Sequence, residues 1–110
     1  MQVERTRHID ASEPDDAGLY DYHYEYDLYK FKDGAVCFSA RSYVEEPENA
    51  HFLGVETDGR SRPMVDADLK HPLFLAALTH FRTHGKTSLS WLSGRGNGYE
   101  LVVNSTRRDG

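Results

Sequence analysis

The sequence contains a single cysteine, Cys37, so it has no partner for an internal disulfide. A secreted scaffold held together by disulfides is therefore excluded. Cys37 lies between strand-forming residues, and we interpret it as a small packing side chain. Because no local signature of a cysteine nucleophile surrounds it, we expect no catalytic role for this thiol.

The sequence also lacks a long apolar run. A helix needs about 18 or more consecutive apolar residues to cross a membrane, and no such stretch is present. The N-terminal residues have no apolar core of the kind found in signal peptides. We therefore predict a cytoplasmic protein with no membrane partner.

Positive charge is missing from one long stretch. No Lys or Arg occurs between Asp10 and Tyr29, although seven acidic residues do. Residues 1–55 carry twelve acids against five bases, a net charge of −7, whereas residues 56–110 carry six acids against eight bases, a net charge of +2. Because nucleic-acid binding depends on clustered Lys and Arg, we expect no nucleic-acid partner. An acidic surface instead favours encounter with a basic protein.

The strongest local signal is a β-hairpin centred on Asp33-Gly34, a dipeptide typical of two-residue type I′ turns. This turn pairs Lys32 with Ala35 and extends the hairpin over residues 19–44. Pairing from that point determines which side chains share a face of the sheet.

Each face of the predicted hairpin is only half apolar. Phe31 and Tyr29 share one face near the turn, but farther along the same face continues as Asp27, Glu25 and His23. The second face carries a row of aromatic side chains with one arginine: Tyr22, Tyr24, Tyr26, Arg41 and Tyr43. Contact of Arg41 with Tyr26 would be a cation–π pair.

Two arrangements explain this change of face. A β-bulge near Asp27-Leu28 would bury one continuous face, and we favour it because it leaves only one residue unpaired. Without a bulge, the tyrosine row lies on the sheet face away from the core. A row placed there is suited to recognition, because tyrosine offers large and rigid contact area. Packing alone also explains tyrosines in strands.

The rest of the chain predicts one more strand, one helix and a second hairpin. The strand is expected at residues 51–57 and the hairpin at residues 87–92 and 99–103, with Leu89, Trp91, Tyr99, Leu101 and Val103 facing inward. The helix is expected at residues 72–84, with Pro72 at its first position and Gly85 just beyond its end. Its apolar stripe consists of Phe74, Ala77, Leu78 and Phe81.

This element order predicts an α+β domain, in which an antiparallel sheet of about five strands packs against one helix. We divide the chain into a flexible lead-in at residues 1–18, a single domain at residues 19–104 and a frayed tail at residues 105–110. A short strand starting at Val3 is a further expectation for the lead-in.

No motif of high catalytic specificity is present. His80 and His84 have the spacing of two helical metal ligands, but the glutamate of a zinc-protease motif and a third ligand are missing. The glycine-rich segment at residues 94–98 is followed by a strand, whereas a phosphate-binding loop leads into a helix. We therefore expect no metal and no cofactor.

The sequence favours a non-enzymatic binding domain that engages a basic protein. The predicted contact residues lie on the acidic hairpin: Tyr22, Tyr24, Glu25, Tyr26, Asp27, Arg41 and Tyr43. Small inhibitor and immunity proteins have a similar size and charge, an analogy that rests on no shared motif. A monomer and a homodimer both fit this interpretation.

The alternative is a small-ligand-binding protein or a small enzyme. Its pocket would lie between the helix and the sheet, lined by His23, Asp27, Tyr29, Arg41 and Trp91. Exposure of Tyr24 and Tyr26 would favour the interaction surface, and their placement beside His23 or Asp27 in a concave pocket would favour this alternative.

Overall fold

The computed structural model of the chain describes residues 1–93 and 98–102. Within these ranges the α+β class is confirmed, with one sheet of seven strands in place of the predicted five or so. A 3-10 turn at Asp66–Lys70 precedes the helix. The other elements, in chain order, are β1 (Gln2–Ala11), β2 (His23–Asp33), β3 (Val36–Tyr43), β4 (Asn49–Thr57), β5 (Arg60–Arg62), α1 (Pro72–Thr83), β6 (Ser88–Leu92) and β7 (Tyr99–Leu101).

The sheet is mixed, and its strands are arranged in the order β1-β2-β3-β4-β6-β7, with β5 paired to β4. The first four strands form an antiparallel meander. β4 and β6 run parallel, which corrects the prediction of a wholly antiparallel sheet. The reason is the connection through α1, because a helical crossover returns the chain to the end of the sheet where β4 began.

β1 lies in the stretch for which the sequence predicted a lead-in with at most a short strand at Val3. The strand has ten residues, and it pairs with β2 from Gln2–Lys32 to Ala11–His23. Most of its side chains are polar and exposed, so hydrophobic alternation gave no signal. Ion pairs across the two strands stabilise it instead, as described below.

The turn between β2 and β3 is shifted by one residue from the predicted position. Asp33 pairs with Val36, so Gly34 and Ala35 are the central residues. Gly34 has a φ of 60° and Ala35 has no positive φ, which is the pattern of a type II′ turn with glycine first. The predicted pair of Lys32 with Ala35 is therefore wrong. The register moves by two residues, so each side chain keeps its predicted face.

The bulge predicted near Asp27-Leu28 is absent, because β2 pairs continuously with both β1 and β3. The irregularity lies between β3 and β4. Two consecutive β3 residues pair with Gly54 and Phe52, so β4 contains one extra residue between these two partners. The tyrosine row consequently lies on the sheet face opposite α1, which we call the open face.

The core lies between α1 and the other face of the sheet, and its largest members are aromatic. The predicted helical stripe is buried, as expected: Phe74, Ala77, Leu78 and Phe81, joined by Leu73. The largest fully buried side chains are Phe31, Phe38, Phe52, Phe74, Phe81 and Met64. None of the helices in the described ranges is long and apolar enough to cross a membrane.

The second hairpin places two of its five predicted inward residues in the core. Leu89 and Trp91 are buried, whereas Tyr99 and Leu101 are 41% and 71% exposed. Trp91 faces the core and pairs with Glu100, so Glu100 lies on the same face of the sheet. The residues on either side of Glu100 therefore point to the open face. Residues 94–97, Val103 and the predicted tail at residues 105–110 lie outside the described residues.

Candidate functional site

The predicted tyrosine row forms one connected aromatic network on the open face. Ring centroids lie 6.0 Å apart for Tyr22 and Tyr24, 5.9 Å for Tyr24 and Tyr43, and 5.8 Å for Tyr26 and Tyr43. The guanidinium of Arg41 lies over the rings of Tyr26 and Tyr43, at 5.4 and 5.2 Å from their centroids. The structure therefore brings together five of the predicted contact residues.

The network also includes residues that the sequence did not indicate. The ring of His8 stacks on Tyr26 at 5.4 Å, and the ring of His51 lies 4.9 Å from that of Tyr99. Arg41 donates a hydrogen bond of 3.2 Å from Nη2 to the hydroxyl of Tyr99. Burial lowers the pKa of His51, which favours its neutral form. The residues of this network come from five strands, so only the sheet order places them together.

Glu25 and Asp27, the two predicted acidic contacts, lie on the opposite face from the row. Asp27 accepts hydrogen bonds from Arg5 Nη2 at 2.9 Å and from Arg7 Nε at 2.6 Å. Arg7 also donates to Glu25 at 2.8 Å. The hydrogen bond from Arg7, assisted by Arg5, lowers the pKa of Asp27 despite its burial. Asp27 therefore joins β1 to β2, and the predicted contact set is divided between two faces.

A depression of about 480 Å³ lies where β2 begins and β3 ends. In the described part of the chain its lining consists of two aromatic rings and three carboxylates, with no basic residue: Tyr24, Glu25, Tyr43, Glu45 and Glu46. Among the residues that the structure describes, Glu45 and Glu46 have no ion-pair partner. We call this site the acidic depression. The sequence interpretation had used Glu45 and Glu46 only as the residues that end a strand.

The acidic depression belongs to an end of the sheet where negative charge is concentrated. In an antiparallel meander, the β1–β2 connection and the β3–β4 turn lie at the same end. Residues 12–22 contain four acids and residues 44–48 contain three, and neither segment contains Lys or Arg. The carboxylate of Asp15 accepts hydrogen bonds from the backbone of Ala17 and Leu19, both at 2.9 Å, which orders the first segment.

This arrangement is suited to binding a cation. The face of an aromatic ring is electron-rich and attracts an ammonium or guanidinium group, and adjacent carboxylates strengthen the attraction. The rings of Tyr24 and Tyr43 meet at an interplanar angle of 64°, so they offer two differently oriented surfaces to one ligand group. Carboxylates that lack internal partners keep their charge available to such a group.

The residues predicted for the alternative pocket are not brought together. Asp27, Tyr29 and Trp91 are buried on the helix side of the sheet. Arg41 lies on the open face, so the sheet separates it from them, and His23 is exposed at the start of β2. Tyr29 packs edge-on against Phe81 at 4.9 Å, and burial raises its pKa. Tyr29 is therefore part of the core between the sheet and the helix.

The two histidines with metal-ligand spacing are close together on α1. The ring centroids of His80 and His84 are 4.3 Å apart, and His84 Nδ1 donates to the carbonyl oxygen of His80 at 2.7 Å. In residues 1–93 and 98–102, no cluster of three or more His, Cys, Asp or Glu side chains is placed to hold a metal ion.

No protein-family model, curated protein or solved structure matches the chain.

Proposed function

We propose that this chain is a small binding domain whose acidic depression receives a lysine or arginine side chain of a basic protein. The observation that carries the proposal is the lining of the depression by Tyr24 and Tyr43 together with Glu25, Glu45 and Glu46. Two aromatic rings together with Glu45 and Glu46, which have no ion-pair partner among the described residues, match the chemistry of a cationic side chain. Glu25 is shared with Arg7, and Arg41 already lies over the ring of Tyr43.

The distribution of charge supports the same partner. The acidic end of the sheet extends the negative potential beyond the depression, and such a field accelerates encounter with a positively charged protein. The neighbouring ring of Tyr22 adds rigid contact area that extends away from the depression. The proposal involves binding without catalysis, in the cytoplasm, with no cofactor, nucleic acid or membrane. Asp27 takes a structural role in it.

Reversing one charge in the depression should weaken binding by roughly tenfold or more, because a like charge then faces the partner's cation. The change is Glu46→Lys, at an exposed position that has no ion pair with any described residue. The measurement starts with affinity capture from an extract of the source cells, washed at low and high salt. The dissociation constant of the captured basic protein is then determined for the parent and the variant.

The matched control for that experiment is Asp33→Lys, which changes the net charge equally at the opposite end of the hairpin. We expect it to bind almost as tightly as the parent, because screening at physiological salt acts over about 8 Å. Equal weakening by both variants would show that only net charge matters, and it would contradict a site at the depression. Capture of no basic protein would also contradict the proposal.

Removing one ring should separate binding from folding. Tyr24 is 51% exposed, so Tyr24→Ala should change the free energy of unfolding by less than about 0.5 kcal/mol. The same variant should weaken binding by roughly tenfold or more, because a central aromatic contact is typical of residues that dominate binding energy. Calorimetric melting and titration with the captured partner measure the two effects. Parent-like affinity would exclude Tyr24 from the contact.

A further inference from the structure

A second depression lies on the other side of the sheet, between β1, β2 and the end of α1, and its volume is about 390 Å³. Among the described residues, its polar lining contains no carboxylate, although the protein as a whole has a net charge of −5. The groups that line it include four basic side chains and one phenol: Arg5, His80, His84, Lys86 and Tyr29. We call this site the basic depression.

Lys86 is the group whose charge is least compensated. Its Nζ donates to Ser42 Oγ at 2.9 Å and to the carbonyl oxygen of Pro47 at 2.8 Å. It has no ion-pair partner in the described part of the chain. An ammonium group has three N–H donors, so one remains for another acceptor. Partial burial lowers the pKa of Lys86, and an anion beside it would offset that cost.

Arg5 and the two histidines supply further donors. Arg5 uses Nε and Nη2 to bind one oxygen of Asp27, which leaves Nη1 available. His84 uses Nδ1 to bind the carbonyl oxygen of His80, so its other ring nitrogen is not engaged by that bond. Burial and the nearby His84 lower the pKa of His80. A bound anion would favour the charged form of His80.

Asp27 and Glu48 are the carboxylates whose charge acts on Lys86, and Asp27 is already bound by other groups. Asp27 accepts hydrogen bonds from Arg5 and Arg7. The negative end of the α1 dipole also points toward this region. In the last turn of α1, the carbonyl oxygen of Phe81 accepts hydrogen bonds from the backbone N–H groups of His84 at 3.0 Å and of Lys86 at 2.8 Å. These bonds reduce the repulsion that an anion would meet there.

We propose that the basic depression binds a small phosphate- or carboxylate-bearing ligand, held by Lys86, Arg5 and the His80–His84 pair above the ring of Tyr29. Its volume lies within the range of about 300–1,000 Å³ typical of small-molecule sites. The site is separate from the acidic depression and takes a ligand of opposite charge, so it adds a small-molecule function to the proposed protein binding.

The test is titration of the full chain with inorganic phosphate and with citrate, at constant ionic strength and about pH 6.5, near the ordinary pKa of histidine. NMR follows the imidazole signals of His80 and His84, and calorimetry follows the melting temperature. We expect saturable changes in both observables for at least one anion. The anion that binds more tightly identifies the ligand group as phosphate or carboxylate.

Lys86→Met removes the ammonium and keeps most of the side-chain length, and we expect it to weaken binding at least tenfold. Lys70→Met removes the same charge from an exposed position in the 3-10 turn, and it should bind like the parent. If Lys86→Met does not fold, His84→Gln at an exposed position gives the same comparison. Non-saturable changes, or equal changes in the parent and these variants, would overturn the proposal.

Discussion

Replacing Phe52 with alanine should lower the free energy of unfolding by about 3–5 kcal/mol. Phe52 is fully buried, and its ring lies 4.6, 5.6 and 6.4 Å from the rings of Phe74, Phe81 and Phe31. Removing it leaves a cavity between sheet and helix that rigid neighbouring rings fill poorly. Domains of this kind have a total stability of about 5–15 kcal/mol, so much of it would be lost. Denaturant unfolding followed by circular dichroism measures the change.

Tyr24→Ala is the matched control, since it removes an aromatic ring from the open face. Its curve should nearly coincide with that of the parent. A loss of less than about 1 kcal/mol for Phe52→Ala would contradict the central position of this ring, because complete burial of a phenylalanine is worth more than that.

Asp27→Asn should lower the free energy of unfolding by about 1–3 kcal/mol near pH 7, because hydrogen bonds from two arginines to a charged acceptor are weakened. The folded-state pKa of Asp27 is lowered, chiefly by the hydrogen bond from Arg7. Its stabilising contribution is therefore complete above the unfolded pKa of about 3.9, and it is lost as the pH falls through the folded value. Unfolding measured between neutral and strongly acidic pH should show the parent and the variant converging.

The control for Asp27→Asn is Glu25→Gln on the same strand. The side chain of Glu25 is 39% exposed and accepts from one arginine, so its replacement should cost less and show a weaker dependence on pH. A constant difference between the parent and Asp27→Asn down to strongly acidic pH would contradict a stabilising carboxylate at this position.

The helix and the central strands were predictable because their signals are local. Pro72 and Gly85 bracket α1, and the apolar stripe of the helix repeats at the helical period. The strand predicted at residues 51–57 corresponds to β4, which begins two residues earlier. Each of these signals depends on residues close in sequence, so the chain alone was sufficient.

The sequence did not predict which face of the sheet each β2 side chain occupies. That placement depends on β1, a strand with no hydrophobic alternation. A bulge was expected because it would bury one continuous apolar face at the cost of one unpaired residue. Without it, Asp27 lies on the core side, which is unfavourable unless the carboxylate is paired. β1 brings Arg5 and Arg7 opposite the acidic positions of β2, so the charge is compensated without a bulge. The charge compensation that accompanies this placement of the tyrosines thus comes from two arginines distant in sequence.

The candidate site was predictable only in part, for a similar reason. Alternation along one strand correctly grouped Tyr22, Tyr24 and Tyr26. The acidic lining contributed by Glu45 and Glu46 comes from the turn after β3, and its approach to Tyr24 depends on strand register. Consecutive charged residues at the end of a strand normally indicate a turn exposed to solvent. Only the three-dimensional arrangement distinguishes such a turn from a binding site.

β1 also affects how the protein behaves at high concentration. It is the first strand in the sheet order, and its outer side has no neighbouring strand in the described part of the chain. Unpaired backbone at a sheet edge is a template for aggregation, and charged side chains such as Glu4, Arg5 and Arg7 oppose the approach of a second chain. Deleting this segment would make the strand carrying Tyr29 and Phe31 the new edge. A largely polar strand therefore covers the edge of a strand that carries two aromatic side chains of the core.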